Sequence, residues 1–182
     1  MPTYIAMLRG INIGPHKRMK MDKLRLCLKD LGFKEVTTYI QSGNIVFGAP
    51  KLSDRALAKK VGDSIRRDFG FSAEVITRTR EEMGRVIQNN PLLKETGIDQ
   101  SKLQVVFLSG PPNSASVKKL EELTRPPDRV RSLDREIYFY FPNGVSGSSL
   151  WKHPLDRILT VTATMRNWTT VNKLYELAQD LG

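Results

Sequence analysis

The chain has 182 residues, 40% hydrophobic and 26% charged, with a net charge of +10 at pH 7. That length suits two compact modules or one repeated unit, and the ordinary balance of apolar and charged residues excludes a disordered chain. The single cysteine, Cys27, excludes an intramolecular disulfide scaffold, and no apolar run approaches the ~18 residues of a spanning helix, so a cytoplasmic protein that neither enters a membrane nor is exported is expected.

Tyr4 to Arg9 reads as a buried strand. Met21, Leu24, Leu28 and Leu31 then recur at three- and four-residue spacing as the apolar stripe of a helix that Gly32 stops. Val36 to Gln41 and Asn44 to Phe47 are β-branched or aromatic runs around Ser42-Gly43, a hairpin signal. Ser53 is placed to cap a helix through Leu57, Val61, Ile65 and Phe69 that ends at Gly70, and Ala73 to Thr77 returns as a strand. Thr79 and Glu82 have the spacing of a capping box, opening a helix with Met83, Val86 and Ile87 before Asn90-Pro91.

The second half repeats this order, with Leu103 to Leu108 taking the place of the first strand about 99 residues on. Asn113 or Ser114 caps a helix through Val117, Leu120 and Leu123. Val130 to Leu133 and Ile137 to Phe141 are strands, Leu150 to Ile158 reads as helical with Pro154 near its start, and Val161 to Met165 is extended. Val171, Leu174, Tyr175, Ala178 and Leu181 form a last helix stripe. The order βαββαβ, written twice, predicts an α+β fold of two tandem ferredoxin-like units, antiparallel sheets with helices packed on them. The units are expected over 1–98 and 99–182, with Asn89 to Ser101 as connector.

Tyr4 to Gly14, the amphipathic stretch from Met19, and Thr38 to Phe47 together resemble the bacterial family catalogued as domain of unknown function 1697, and Thr162 to Leu174 is a second point of similarity. The resemblance covers nearly the whole chain and implies the same tandem ferredoxin-like architecture. It implies no reaction.

Charge is uneven along the chain. Residues 1–91 carry 17 Lys/Arg against 9 Asp/Glu, a net of +8, whereas residues 92–182 carry 12 against 10, a net of +2. A field of that sign attracts phosphates and polyanions. Within it, Arg9-Gly10-Ile11-Asn12-Ile13-Gly14 follows a strand and precedes a helix, with Lys17, Arg18 and Lys20 after it. Backbone N–H groups of such a loop, with Arg9 as a bidentate donor, are suited to an anion, although the pattern is neither a dinucleotide fingerprint nor a Walker loop. The alternative is a purely structural loop in which Gly10 and Gly14 supply left-handed backbone and Asn12 bonds locally.

Gln41-Ser42-Gly43-Asn44 divides in the same way. Turn chemistry accounts for Gly43 or Asn44 at positive φ, while Gln41 is left as a candidate contact. On a ferredoxin-like plan this turn is expected at the sheet end opposite the loop after the first strand, which separates the two polar loops. In the second half, Asn167 or Thr169 is placed to cap the last helix with Trp168 as a staple. Arg166 beside that helix N-terminus is unfavourable unless it meets an anion or carboxylate, which makes it the best ligand candidate there.

The remaining chemistry is sparse. Cys27, His16 and His153 are too scattered for a zinc site, Cys27 lies beside an apolar stripe as a core filler, and no nucleophile elbow or Ser/His/Asp order is present. No cofactor, metal or catalytic residue is assigned, and whether the chain is an enzyme is left open. Among candidate stacking aromatics, Phe47 is alone on its strand. Tyr138 and Tyr140 should share one face and Phe139 and Phe141 the other, tyrosines outward. The expectation is a binding protein for a phosphate-bearing partner, nucleic acid favoured, through Arg9, Gly10, Asn12, Gly14, Lys17, Lys20, Gln41, Arg166 and Asn167. The alternatives are a small-molecule or nucleotide-dependent enzyme at an Arg/Asn/Lys anion site, and a protein-interaction module.

Overall fold

Strand β1, Thr3–Leu8, is buried along its whole length, as a central strand with both faces covered must be. A computed structural model describes all 182 residues. After β1 the chain runs α1 (Met21–Lys29), β2 (Lys34–Tyr39), β3 (Asn44–Gly48), α2 (Asp54–Phe69), β4 (Val75–Thr79) and α3 (Arg80–Gln88). It repeats as β5 (Leu103–Leu108), α4 (Ser114–Leu123), β6 (Arg129–Leu133), β7 (Glu136–Tyr140), α5 (Leu155–Leu159), β8 (Ala163–Asn167) and α6 (Trp168–Asp180). The sheets have the orders β2-β3-β1-β4 and β6-β7-β5-β8, every neighbouring pair antiparallel, so each is a ferredoxin-like sheet. No helix is long and apolar enough to cross a membrane.

The chain divides into two units, Met1–Arg85 with Lys173–Gly182, and Val86–Asn172. One boundary therefore falls inside α3 and the other inside α6. In the first unit Tyr4, Ala6 and Leu8 of β1 and Ile45 and Phe47 of β3 face Leu24 and Leu28 of α1 and Leu57, Val61 and Ile65 of α2. In the second, Val106, Leu108, Ile137 and Phe139 face Leu120 of α4 and Ile158 and Leu159 of α5.

Local chemistry accounts for most helix ends. The Ser53 hydroxyl accepts from Ala56 N (3.2 Å), and α2 closes on Gly70 in the left-handed region at φ 77°. The α3 capping box is reciprocal: Thr79 N donates to Glu82 Oε2 (2.8 Å) and Glu82 N to Thr79 Oγ1 (3.1 Å). Glu82→Ala is expected to lose one half of this box and lower stability by about 1 kcal/mol, read as a shift in urea midpoint; an unchanged midpoint would show the box is idle.

Three segments depart from the sequence reading. The expected helix over Leu150 to Ile158 is broken into a 3-10 turn, Ser149–Lys152, and the short α5, because Pro154 holds His153 extended at φ −123°, ψ 121°. Strand β8 begins at Ala163 rather than Val161, since Thr160 ends α5 in the left-handed region. Strand β4 runs Val75–Thr79 instead of Ala73 to Thr77, which brings Arg78 into the ladder opposite Ile5.

Tyr138 and Tyr140 do share one face and Phe139 and Phe141 lie on the other, but the tyrosines are not outward. They are 1% and 7% exposed, and the Tyr138 hydroxyl donates to Val86 O (3.4 Å) while that of Tyr140 donates to Gly97 O (3.4 Å). Strand alternation assigns a side chain to a face; it does not say whether other elements cover that face. Phe47 is also buried, stacked on Phe33 with ring centroids 4.6 Å apart. Neither sheet offers an exposed stacking platform of the kind that RNA-recognition sheets present.

Candidate functional site

Because β1 pairs antiparallel with β3, and β3 antiparallel with β2, β1 and β2 run the same way. Their C-terminal ends therefore lie at one edge of the sheet. The loop after β1 and the β2–β3 turn are neighbours, not at opposite ends as the sequence reading expected; that reading left out the second reversal. Leu8 N donates to Gly43 O (2.9 Å), and Asn12 Nδ2 donates to Gln41 O (2.8 Å).

Asn12 organises this end of the unit. Its Nδ2 also donates to Met19 O (2.9 Å), its Oδ1 accepts from Met19 N (2.7 Å), and its backbone N donates to Lys17 O (3.0 Å). Three bonds thus close residues 12–19 into an arch, and the bond to Gln41 ties it to the β2–β3 turn. Its two feet, Ile11 and Met19, are buried, whereas Ile13 to Arg18 are all exposed. The left-handed conformations of Gly10 (φ 67°), Asn12 (φ 54°), Gly14 (φ 67°) and Lys17 (φ 52°) give the arch its reversals. In the adjoining turn Ile40, at 50°, and Gly43, at 77°, have positive φ, whereas Asn44 does not and starts β3 with its Nδ2 on Tyr39 O and Ser42 Oγ.

Gly10, Asn12, Gly14, Lys17, Lys20 and Gln41 are thereby gathered at one end of the first unit. Lys17, Arg18 and Lys20 are exposed and carry no ion pair, so their charge is directed to solvent. Arg9 is at the same end, half-buried, with Nη1 on Glu74 Oε2 at 3.0 Å. An anion at Arg9 must compete with that carboxylate. The side-chain amide of Asn12 is committed to the arch, so its part in any binding is to hold the loop's shape. Asn12→Ala is expected to lose about 1–3 kcal/mol through the unsatisfied Met19 N and Met19 O, with accelerated amide exchange confined to residues 12–19; protection unchanged there would contradict it.

Arg166 and Asn167 lie in the second unit, on β8. Asn167 Oδ1 accepts from Thr170 N (2.8 Å) and is the cap of α6. Arg166 is 9% exposed, and its Nη1 donates to Thr164 Oγ1 (2.8 Å) and Met165 O (2.9 Å). Burial pulls its pKa down to about 10, still far enough above neutrality to keep the guanidinium charged.

Arg78, passed over in the sequence reading, has the corresponding place in the first unit. It is 1% exposed, is the fourth residue of β4 as Arg166 is of β8, and precedes the cap residue Thr79 as Arg166 precedes Asn167. Its Nη1 likewise donates to a preceding carbonyl, Thr77 O, at 2.8 Å. The legible signal was an arginine directly before a Thr or Asn cap at the same element of each repeat.

Cys27 is 3% exposed with Sγ 2.9 Å from Ser64 Oγ, and burial pushes its thiol up to about 11. A thiol whose folded pKa is raised adds stability that is complete below the usual value near 9 and lost as pH rises through about 11. Cys27→Ala is therefore expected to flatten the decline in urea midpoint across that window, and the native protein to resist alkylation at neutral pH. Rapid labelling without denaturant would refute the buried-thiol account.

A cavity of about 270 Å³ lies in the second unit, lined by Glu121, Thr124, Pro126 and Asp128 to Arg131. Arg129 and Arg131 both pair with Glu95, the former at 3.1 Å, so a single carboxylate is shared between its two guanidinium groups. No group of three or more His, Cys, Asp or Glu side chains is placed to hold a metal ion.

The family model described as "Protein of unknown function (DUF1697)" matches residues 1–138. That span includes the arch and the β2–β3 turn but not Thr162 to Leu174. No curated protein matches the chain. Among solved structures it is similar to the conserved bacterial protein SP0830 from Streptococcus pneumoniae, with 22% identity, a TM-score of 0.77, and coverage of 97% of this chain and 98% of that one. At that identity the likeness shows the fold alone.

Proposed function

Since the chain belongs to the DUF1697 family, whose description assigns no activity, we propose from the geometry of its own first unit that it binds a phosphate-bearing partner, nucleic acid, through the arch. The observation that carries this reading is the preformed arch itself: Asn12 fixes the loop from within, and Lys17, Arg18 and Lys20 stand exposed and unpaired along it. A cationic loop that is already ordered loses little conformational entropy on binding, and phosphate contacts gain from released counterions.

The role of each residue follows from its place. Lys17, Arg18 and Lys20 contact phosphates. Gly10, Gly14 and Asn12 hold the loop, and the exposed Gln41 lies beside it on the turn that Asn12 tethers. Arg9 joins only by leaving Glu74. Arg166 and Asn167 serve β8 and α6 and are not part of this contact.

Titration of short RNA and DNA against salt tests the reading. The triple variant Lys17→Ala, Arg18→Ala, Lys20→Ala is expected to make the slope of log K against log salt shallower by about 0.9 per lost contact on duplex and about 0.7 on single strands. No binding at low ionic strength, or an affinity that is flat against salt, would reject it.

A further inference from the structure

Two isoleucines stand exposed beside the cations of the arch. Ile13 is 76% and Ile40 51% exposed, and they lie on the two loops that Asn12 joins through the Gln41 carbonyl. The core does not use either one. Ile11 and Met19 anchor the arch, whereas Ile13 is at its tip, next to Gly14 and Pro15. Ile40 is also strained: it holds φ 50°, a region that is costly for a β-branched residue and usually goes to Gly, Asn or Asp. With its side chain largely in water, burial does not return that cost.

Apolar side chains among unpaired cations suit a partner that is anionic outside and apolar within. Single-stranded nucleic acid is disfavoured, because Phe47, Tyr138 and Tyr140 are buried and the one aromatic ring beside the turn, Tyr39, is only part-exposed at the end of β2. A lipid surface is disfavoured by area, since even a whole myristoyl chain gives only marginal anchoring and two isoleucines offer less. A DNA duplex fits both features. Its phosphates flank a minor groove, and aliphatic side chains that enter there part a base step and kink the helix by roughly 20–90°.

We infer that the arch and the β2–β3 turn form a wedge for duplex DNA: Lys17, Arg18 and Lys20 hold the phosphates while Ile13 enters a base step and Ile40 supports it from the neighbouring loop. This rests on the nucleic-acid reading above and adds a geometry to it. The wedge predicts preference for pyrimidine–purine steps, which unstack most easily, without hydrogen-bonded readout of sequence.

The test uses the full chain and a short DNA duplex labelled at both ends for FRET, with affinity followed by anisotropy. Wild type is expected to bind at low salt and raise FRET as the ends approach. The double variant Ile13→Ser, Ile40→Asn keeps every cation, and asparagine tolerates the left-handed backbone, so its fold should hold. It is expected to lose the FRET rise while its affinity falls by less than about tenfold and its salt slope is unchanged. Binding by wild type without a FRET rise, or an equal rise with the double variant, overturns the wedge and leaves the nucleic-acid reading standing. Failure to bind any duplex or single strand overturns both. Capture on phosphatidylserine vesicles that the double variant abolishes, with no bending of DNA, overturns the wedge in favour of a lipid surface.

Discussion

Gly43→Ala is expected to lower the stability of the protein by about 3 kcal/mol, whereas Gly14→Ala should cost only about 1 kcal/mol. Both glycines have left-handed backbone, at φ 77° and 67°, so both substitutions carry the same conformational penalty. They differ in what surrounds them. A Cβ on Gly43 would lie 2.6 Å from Leu8 Cβ and 2.9 Å from Ile11 Cδ1, both buried, while nothing lies within 4 Å of one on Gly14. The difference between the variants is therefore the overpacking of the turn against the end of β1. For a chain of this size it corresponds to roughly 4–8 °C in Tm. Equal losses for the two variants would mean that the arch and the turn do not pack as described.

Arg166→Met is the second large effect. Methionine fills much of the same volume but provides no donor, leaving Thr164 Oγ1 and Met165 O without the contacts that Nη1 makes. A loss of about 2–4 kcal/mol is expected, with nucleic-acid affinity at low salt unchanged. Arg78→Met should behave alike, since Arg78 is still more completely buried. The two outcomes separate a structural arginine from a ligand-binding one. If Arg166→Met remained as stable as wild type but lost affinity, the guanidinium would belong to the binding site and the arch would not act alone.

These two variants also mark where sequence patterns sufficed. Positive φ at Gly43, the structural use of Gly10 and Gly14, and the cap at Asn167 are local events, set by residues a few positions apart, and each was legible. The same holds for Ser53, Gly70 and the Thr79–Glu82 box. Arg166 stands out in the sequence as a cation beside a helix N-terminus; its burial and the two bonds that Nη1 makes to its own strand depend on the tertiary structure. Arg78 was missed because β4 was placed two residues too early, which left it outside the ladder.

The candidate site was half legible. Its cations and glycines were visible as a run in the sequence, and the charge of residues 1–91 pointed there. Its second loop keeps Gln41 as a candidate contact in the sequence, but a direction error along the strands puts it at the wrong end of the sheet. The exposed isoleucines could not be distinguished from core residues, since apolar character alone does not tell Ile13 from Ile11, which lies two positions away and is buried.

By itself the sequence determined the order of elements, most helix ends and the repeated βαββαβ plan, because apolar spacing and capping act over a few residues. Tertiary structure decided what depends on distant pairing. The antiparallel contacts β1–β3 and β3–β2 brought the arch and the turn to one edge, and the covering of the second sheet faces buried Tyr138, Tyr140, Arg78 and Arg166. Strand alternation says which way a side chain points; only the rest of the fold says whether water is there.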